Sequence, residues 1–238
     1  MTDFVMRHQA SLIVFLAFLL LIALSNLQAL RRLGSYALPY YFPRVSVLLP
    51  ARDERANIEP CVRSLLAQEY PDFQILILDD NSSDGTGEVL AELSRGSYRL
   101  WVIKGEALPP GWLGKHWACH QLAGVADGEL LLFTDADTRH APHALRDAVA
   151  ALSAENADLL TAIPKQEMFS WSERLIVPIL PWSILAFLPL ILAHRLRIPG
   201  LSAAVGQFML FRRQAYEAIG GHAAVREDVV DDLALVRR

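Results

Sequence analysis

Cysteine is scarce in this sequence, and the scarcity excludes a cysteine-based metal site. The 238 residues contain only Cys61 and Cys119. Each lies in a segment with helix-like spacing, and no metal-ligand spacing connects them. We predict that both are buried or inert thiols in a reducing compartment, as in a domain that faces the cytosol.

Charged residues are also few, at 20% of the chain, against 53% hydrophobic residues and a mean hydropathy of +0.27. Such a chain is too apolar for a typical soluble domain, and we expect membrane contact. The net charge of −4 gives no sign of a nucleic-acid partner. A Gly-x-Gly-x-x-Gly fingerprint and a P-loop are both missing, so neither common phosphate-binding motif is available.

The first long apolar run, Ala10 to Leu30, contains no charged residue and is followed at once by Arg31 and Arg32. About 20 such residues span a bilayer, and the arginines favour a cytoplasmic C-terminal end. A cleaved signal peptide is the competing interpretation, but no small-residue cleavage site follows. We predict an anchor over residues 1–32, a Tyr- and Pro-rich linker over 33–43, and a bacterial-type inner (cytoplasmic) membrane with the remaining domain facing the cytoplasm.

A second apolar run, Leu175 to Ala193, is interrupted by three prolines at positions 178, 181 and 189. A single crossing here would put acidic motifs that precede and follow it on opposite sides of the membrane. We therefore predict a broken, interface-lying or re-entrant segment over residues 171–197. Its expected interface anchors are Trp171 and Trp182, and its expected polar end carries Arg195 and Arg197. A buried pair of core helices is the alternative.

Between these runs, strand-like and helix-like segments alternate. The predicted strands are Val45–Leu49 (ended by Pro50), Phe73–Leu78, Leu100–Ile103 and Glu129–Thr134, with a later one over Gly206–Phe211. Asn57 is predicted to cap the first intervening helix. This rhythm predicts a mainly parallel sheet with helices on both faces.

Acidic residues follow three of these strands. They are Asp53 and Glu54, Asp79 and Asp80, and Asp135 and Asp137. The carboxyl ends of parallel strands share one edge, where ligands of open α/β sheets bind. Carboxylates gathered there repel one another unless a metal or a hydrogen-bonding ligand lies among them. Hard oxygen ligands suit Mg²⁺ or Mn²⁺ together with substrate phosphates, although a strand-ending turn with a helix cap also explains Asp-Ala-Asp.

Four motifs together resemble the family 2 inverting glycosyltransferases, which have a GT-A fold. They are VSVLLPARDE (45–54), ILILDDNSSDGT (75–86), FTDAD (133–137) and a terminal acidic pair. The stretch LPPGWLGKHWACHQ (108–121) is similar to that of the hopene-associated and carotenoid-type membrane enzymes. The resemblance runs over 44–238 and implies a nucleotide-sugar donor, a UDP-sugar in particular.

The resemblance implies roles for individual residues. Ala51, Asp53 and Glu54 would line the nucleotide pocket, Asp79 with Asp80 would bind uracil and ribose, Lys115 would lie near the nucleotide or diphosphate, and Asp135 with Asp137 would hold the metal and the sugar diphosphate. Gln207 is a candidate sugar contact, and His222 a weaker one. The chain departs from the usual pattern at Arg52 and Asp53, where an aromatic residue and Asn are common. A lysine and a metal ion suit a departing diphosphate, which develops negative charge.

An inverting transfer needs a base for the acceptor hydroxyl, and the chain offers two acidic pairs. They are Glu227-Asp228 and Asp231-Asp232, four residues apart, which would share a face on a helix. The Leu-Ala-Leu run after the second pair matches the family, so we predict Asp232 as base and Asp231 as its neighbour, with Asp228 as the alternative. A helix start that favours acidic residues is the competing interpretation.

We expect the chain to move a sugar from a nucleotide-sugar to a lipid hydroxyl, such as a hopanoid or other isoprenoid. A polyprenyl-phosphate sugar synthase or polysaccharide synthase is the alternative enzyme, although no Gln-x-x-Arg-Trp motif occurs. Similar proteins continue with further membrane helices, which we expect to be absent here. A membrane protein that binds nucleotide-sugars without turnover is therefore a second alternative.

Overall fold

The computed structural model describes residues 2–192 and 204–238. The chain forms two compact units. One comprises Met1–Arg32 with Lys165–Ala203, and the other comprises Leu33–Pro164 with Ala204–Arg238. The larger unit contains every strand of the described chain.

The larger unit is built on a six-stranded sheet with the order β3-β2-β1-β4-β6-β5. The strands are β1 (Val45–Ala51), β2 (Phe73–Asp79), β3 (Leu100–Lys104), β4 (Leu130–Thr134), β5 (Leu159–Thr161) and β6 (Phe208–Arg212). Strands β3, β2, β1 and β4 run parallel, and β6 is antiparallel to both β4 and β5. The predicted mainly parallel sheet is confirmed.

Nine α-helices have described bounds. They are α1 (Thr2–Ala29), α2 (Ile58–Leu66), α3 (Thr86–Arg95), α4 (Gly114–Val125), α5 (Ala144–Ala154), α6 (Trp171–Ile176), α7 (Ile179–Phe187), α8 (Arg213–Ala218) and α9 (Asp231–Val236). Short 3-10 turns cover Leu33–Ser35 and Gly221–Val225. Helices α2, α3 and α5 pack on one face of the sheet, and α4, α9 and the second 3-10 turn pack on the other.

The two cores follow from the alternation of side chains along each strand. In β1, Val47 and Leu49 point into the α2/α3/α5 core, while Leu48 points into the α4 core. All three are fully buried. Strands covered on both faces read as continuous apolar runs, which is why these segments were recognisable in the sequence.

The structure differs from the sequence prediction at some element ends. Strand β1 continues through Pro50, because β4 pairs with β1 only as far as Leu48 and leaves that side of Pro50 free of a partner strand. Asn57 occupies the N-cap position of α2, but its side chain makes no capping hydrogen bond. Its side-chain Nδ2 donates to Glu54 Oε2 at 3.0 Å instead. Strand β5 was not predicted, and with three residues it is too short to show alternation.

The smaller unit contains α1, which extends the predicted anchor helix toward the N-terminus. Within its segment Phe4–Ala29, an 18-residue stretch has a mean hydropathy of 2.5, and 6% of that stretch is buried. Among the described residues it alone has the length and hydropathy of a membrane span. A signal sequence or a core helix can share both properties.

The second apolar run is broken, as its prolines predict. Helices α6 and α7 have 6 and 9 residues, well below the roughly 20 that cross a bilayer. Trp171 and Trp182 are 79% and 58% exposed, which does not fit a buried pair of core helices. Location at a membrane interface stays a prediction, and Ala193, Arg195 and Arg197 lie outside the described residues.

Asn26 joins α1 to the end of α7. It is fully buried. Its amide nitrogen donates to the Leu185 and Leu188 carbonyls at 2.8 and 2.6 Å, and its Oδ1 accepts from the Leu190 amide at 2.9 Å. These groups lack helical partners because α7 ends at Phe187, just before Pro189. The Asn26 side chain therefore provides hydrogen-bond partners for three backbone groups at the break in the apolar run.

We expect Asn26→Leu to destabilise the smaller unit. Leucine fits an apolar helix but leaves the backbone groups at the break unpaired, at a cost of about 1–3 kcal/mol for each buried group. Limited proteolysis in detergent should cleave the variant after α7 faster than the unchanged protein. Ser25→Ala, which removes a bond to Ile22 within α1 itself, is the control. Equal cleavage of the two variants would show that Asn26 does not hold the break.

Candidate active site

The acidic residues that follow β1, β2 and β4 lie at one edge of the sheet, as predicted from their positions after parallel strands. Ala51, the last residue of β1, pairs with Asp79, the last residue of β2. The Ala51 carbonyl accepts from the Asp80 amide at 2.8 Å. Strand β4 adjoins β1 on its other side and leads directly into Asp135.

The loops after β1 and β2 are linked to each other by side-chain hydrogen bonds. Asp53 has a φ of 53°; its amide donates to Ser82 Oγ at 3.0 Å and its Oδ1 accepts from the Ser83 amide at 2.8 Å. The Glu54 amide donates to Thr86 Oγ1 at 2.9 Å. Asp53 thus braces the two loops, a contact that its place in the family motif did not indicate.

A cavity of about 440 Å³ lies at the end of β2 and β3. Its lining residues are Asp79, Asn81, Ser82, Gly87, Val102, Ile103 and Lys104. Asp79 Oδ1 accepts from the Ser82 amide at 3.1 Å, and a Cβ on Gly87 would lie 2.8 Å from Asp79 Oδ2. Asp79 was predicted here from its position after β2, whereas Gly87 and Lys104 were not. Their positions near a helix start and at a strand end were the only signals in the sequence.

Asp80 lies beside this cavity rather than in its lining. Its Oδ2 is 3.4 Å from Arg52 Nη1. The Asp80 side chain is 17% exposed and that of Arg52 is 65% exposed. Arg52 therefore partly balances the Asp80 charge, whereas the aromatic residue common at this position in similar sequences could not.

An ion pair joins α4 to the end of β4. Lys115 Nζ lies 2.7 Å from Asp135 Oδ1. Burial raises the pKa of Asp135, and so do the nearby charges of Asp137 and Asp231, while Lys115 acts in the opposite direction. Burial alone would lower the pKa of Lys115, but the charge and hydrogen bond of Asp135, together with the charge of Asp231, outweigh burial and the net pKa is raised. Lys115 thus carries a secure positive charge among carboxylates.

Next to this ion pair lies a partly buried polar network. Thr134 Oγ1 donates to the Gln207 carbonyl at 2.9 Å, and Thr138 Oγ1 donates to the Asp135 carbonyl at 2.7 Å. His140 Nε2 is 3.2 and 3.0 Å from these two hydroxyls. Burial lowers the pKa of His140 to about 4. The network fixes the backbone that presents Asp135.

The lowered pKa of His140 predicts a loss of stability in mild acid. The unfolded chain binds a proton at this histidine below its ordinary pKa of 6.5, whereas the folded protein does not until about pH 4. The free energy of unfolding should therefore fall as the pH falls from 6.5 to 4, by up to about 3 kcal/mol.

Urea unfolding at several pH values measures this effect in the unchanged protein and in His140→Asn. The variant should lose less stability over the same range, because carboxylates titrate alike in both proteins. His143→Asn, at a half-exposed histidine beside Glu69, serves as control. Parallel curves for the unchanged protein and His140→Asn would contradict the assignment.

The acidic pair Asp231-Asp232 begins α9. The charge of Asp231 raises the pKa of both Lys115 and Asp135, so Asp231 lies in the neighbourhood of their ion pair. Asp232 Oδ2 accepts from the Gly206 amide at 2.9 Å, and its Oδ1 accepts from the Leu233 amide at 2.6 Å. Both carboxylates are half-buried.

The structure corrects one argument about the alternative pair. Glu227 and Asp228 precede α9 and are exposed, and the helix begins only at Asp231. Asp228 therefore cannot share a helical face with Asp232. The turn is set by the Asp228 amide, which donates to the Val225 carbonyl at 3.0 Å.

The two candidate sugar contacts lie in different settings. Gln207 is half-buried, and its backbone carbonyl accepts a hydrogen bond from Thr134 Oγ1 at the end of β4. His222 is only 2% exposed, and its ring contacts Tyr216 instead of open space. The sequence offered no sign of this burial beyond the preceding glycine pair.

The described residues contain no group of three or more His, Cys, Asp or Glu side chains placed to hold a metal ion. Asp135 and Asp137 provide two carboxylates, of which Asp137 is exposed. Mg²⁺ and similar ions are commonly held by one or two carboxylates plus substrate phosphates. The donor set therefore fits an ion that arrives with a diphosphate substrate and does not fit a closed structural site.

Solved structures share this architecture. A mannosyltransferase from Pyrobaculum calidifontis, PcManGT, in complex with GDP-Man and Mn²⁺, matches with a TM-score of 0.65 at 22% identity, over 93% of this chain and 59% of that one. S. aureus TarS 1–349 in complex with UDP-GlcNAc matches with a TM-score of 0.53 at 19% identity, over 81% and 52%. The fold is thus that of the GT-A glycosyltransferases, as the sequence motifs predicted.

Residues 46–220, most of the chain, match the family described as Glycosyl transferase family 2. The chain belongs to this family.

Two curated relatives have names that specify lipids. The β-monoglucosyldiacylglycerol synthase of Trichormus variabilis is 30% identical over 82% of this chain and 41% of its own length. The 4,4′-diaponeurosporenoate glycosyltransferase of Staphylococcus haemolyticus is 30% identical over 39% of this chain and 24% of its own. The chain spans less than half the length of these relatives.

Proposed function

We propose that the protein is a membrane-associated inverting glycosyltransferase that moves a sugar from a UDP-sugar to the hydroxyl of a lipid. The Lys115–Asp135 ion pair, set between the β2 cavity and the acidic pair of α9, is the observation that carries this proposal. A positive charge beside carboxylates at the ligand-binding edge of the sheet suits the departure of a diphosphate.

The cavity at the end of β2 would hold the nucleoside. Asp79 lines it with an oxygen that can accept from uracil or ribose, and Asp80 lies next to it. Ala51, Asp53 and Glu54 do not line this cavity; they lie at the end of β1, and the Asp53 and Glu54 amides are hydrogen-bonded to Ser82 and Thr86. Because Asp53 and Ser83 are hydrogen-bonded to each other, their loops would be ordered before the donor arrives.

The diphosphate would lie between Lys115 and the Asp135/Asp137 carboxylates, with Gln207 near the sugar. Asp135 and Asp137 would hold Mg²⁺ or Mn²⁺, which when bound neutralises developing charge on the phosphates. Lys115 adds a fixed positive charge on the α4 side. The exposure of Asp137 leaves it accessible to an ion shared with the substrate.

Asp232 would be the general base, with Asp231 as its charged neighbour. The acceptor oxygen attacks the anomeric carbon, its proton passes to the Asp232 carboxylate, and the bond from that carbon to the diphosphate oxygen breaks with inversion. The Gly206 amide holds one oxygen of Asp232, which would fix the direction in which the carboxylate faces the acceptor.

The acceptor is proposed to be a hopanoid or other isoprenoid lipid. Support for a lipid acceptor comes from the apolar helix α1 and from the exposed tryptophans of α6 and α7. Of the lipids named in the relatives, diaponeurosporenoate is an isoprenoid and monoglucosyldiacylglycerol is not. We propose residence in an inner membrane with the site facing the cytoplasm, an orientation that rests on Arg31 and Arg32 directly after the apolar run.

We expect Gly87→Ala to weaken UDP binding. The new methyl group would meet Asp79 Oδ2 at 2.8 Å, so the carboxylate must move out of its position in the cavity. Losing one hydrogen bond to a charged group weakens affinity by about tenfold or more. Gly124→Ala is the matched control, because a Cβ there meets nothing within 4 Å. Calorimetric titration with UDP would contradict the assignment if both variants bind equally.

Release of nucleoside diphosphate from a UDP-sugar, with lipid extract and with or without Mn²⁺, tests the proposal. We expect release that requires both the metal and the extract. Donor binding without release would support a non-catalytic nucleotide-sugar-binding protein. Release that requires polyprenyl phosphate, and not a lipid alcohol, would support a polyprenyl-phosphate sugar synthase.

A further inference from the structure

A buried hydrogen-bonded pair lies behind the acidic residues of α9. Tyr216 Oη is 2.8 Å from His222 Nδ1, and the His222 backbone amide donates to the same Oη at 3.0 Å. The two side chains are 5% and 2% exposed. Water therefore cannot replace either side chain as a hydrogen-bond partner. The positions of the Tyr216 hydroxyl hydrogen and the His222 ring hydrogen follow from the contacts between these groups.

The glycine pair before His222 makes this arrangement possible. Gly220 and Gly221 have φ values of 81° and 53°, in the left-handed region that glycine tolerates best. A Cβ on Gly221 would lie 2.6 Å from the Tyr216 ring. The chain can turn back over Tyr216 only because position 221 carries no side chain.

The hydrogen bonds favour one tautomer of His222. The Tyr216 oxygen already accepts the backbone N–H, and its own hydrogen is satisfied if it donates to Nδ1. The opposite arrangement would leave a buried hydroxyl hydrogen unpaired, which costs about 1–3 kcal/mol. Nδ1 is thus the acceptor, and the imidazole proton lies on Nε2.

The protonated side of the ring points to the acidic pair. His222 Nε2 is 3.8 Å from Asp231 Oδ2, just beyond direct hydrogen-bond length. Burial lowers the pKa of His222 to about 3, Asp231 opposes that shift, and His116, Lys115 and His120 add to it. A neutral ring therefore faces Asp231. His116 packs edge-on to this ring at a centroid distance of 6.1 Å.

Asp231 in turn acts on the site through its charge, which helps to raise the pKa of Lys115. A chain of contacts thus runs from Tyr216 through His222 and Asp231 toward the Lys115–Asp135 ion pair. Tyr216 and His222, at the far end of this chain of contacts, touch neither the cavity nor the Lys115–Asp135 ion pair.

We propose that His222, fixed in one tautomer by Tyr216, is a positioning residue that holds the Asp231 carboxylate toward Lys115. This inference rests on the proposed function, since Lys115 is the cation that faces the departing diphosphate. At 3.8 Å the His222 N–H attracts the Asp231 carboxylate without a full hydrogen bond, and loss of this attraction would allow the carboxylate to turn away from Lys115. The chemical step should then slow while the donor still binds.

The tautomer can be measured without any activity. Nitrogen-15 spectra of the full chain in detergent, labelled at histidine, resolve the two ring nitrogens, and His222→Gln identifies the signal that disappears. We expect a neutral His222 with the proton on Nε2 from pH 8 to pH 5. A proton on Nδ1, or a doubly protonated ring near pH 6, would overturn the inference.

Kinetics test the positioning role. His222→Leu and Tyr216→Phe should lower kcat by about twofold to tenfold, less than the loss of a full hydrogen bond to a charged group, because Nε2 lies 3.8 Å from the carboxylate; KM for the donor should be unchanged. His222→Gln, which retains an N–H on a side chain of similar reach, should recover most of the rate. Tyr70→Phe is the control, since it removes another buried hydroxyl, bonded to the Pro43 carbonyl at 2.6 Å, away from the site.

The outcomes separate this inference from the function on which it rests. Equal kcat for His222→Leu and the unchanged protein, with transfer intact, would overturn the positioning role alone. Equal losses in the leucine and glutamine variants would show a packing role. Absence of transfer by the unchanged protein with every donor would overturn the proposed function and the positioning role together.

Discussion

Asp232→Asn should bind UDP-sugar normally and lose transfer almost completely. Asparagine has the same size and keeps an oxygen for the Gly206 amide. Its NH₂ group can neither accept from the Leu233 amide, as Oδ1 of Asp232 does, nor take the acceptor's proton. General-base catalysis typically contributes on the order of 10²–10⁴-fold in rate. Transfer at saturating donor, followed as labelled sugar entering the lipid fraction, measures the loss. Thermal unfolding of both proteins verifies that the fold is kept.

Asp228→Asn is the matched control for this experiment. It makes the same chemical change at an exposed residue that lies outside α9. We expect near-normal transfer. A dead Asp228→Asn enzyme together with an active Asp232→Asn enzyme would show that the base belongs to the preceding acidic pair.

Asp137→Ala should abolish the metal dependence of donor binding without unfolding the protein. Asp137 adds to the repulsion that raises the pKa of Asp135, so its removal should not cost stability. Loss of a residue that only supports a metal ligand typically costs about 10–100-fold in affinity. Loss of a ligand itself should cost at least the upper end of that range, measured as UDP affinity in Mn²⁺.

Asp158→Ala removes the same charge at the opposite edge of the sheet. Asp158 is exposed and precedes β5, which runs parallel to β4. This control should keep the full difference between UDP affinity in Mn²⁺ and in chelator. Unchanged Mn²⁺-dependent affinity in Asp137→Ala would remove this residue from the metal site.

The sequence predicted the sheet and the shared edge of its acidic loops well, because both depend on local patterns. Apolar runs that are covered on both faces, such as Leu130–Thr134, can be recognised without tertiary information. Parallel strands share one edge, so the proximity of Asp79 and Asp135 to that edge follows from chain direction alone.

The remaining features depend on contacts between distant residues. Lys115 meets Asp135 because α4 packs on β1 and β2, and no local pattern encodes that pairing. Asp53 connects two loops through hydrogen bonds to Ser82 and Ser83. Asp228 lies before α9 because its amide is part of a turn with Val225. The burial of His222 depends on a glycine pair and a tyrosine that were separately unremarkable in the sequence.

The mass of the lipid product tests the central claim most directly. The purified protein would be incubated with UDP-sugar, Mn²⁺ and membrane lipid extract, and the extracted lipids would be compared with those from a reaction with Asp232→Asn. We predict new lipid species heavier than their parents by one sugar residue, formed only by the unchanged protein. Identical lipid spectra from both proteins, despite donor binding by both, would contradict the assignment as a lipid glycosyltransferase.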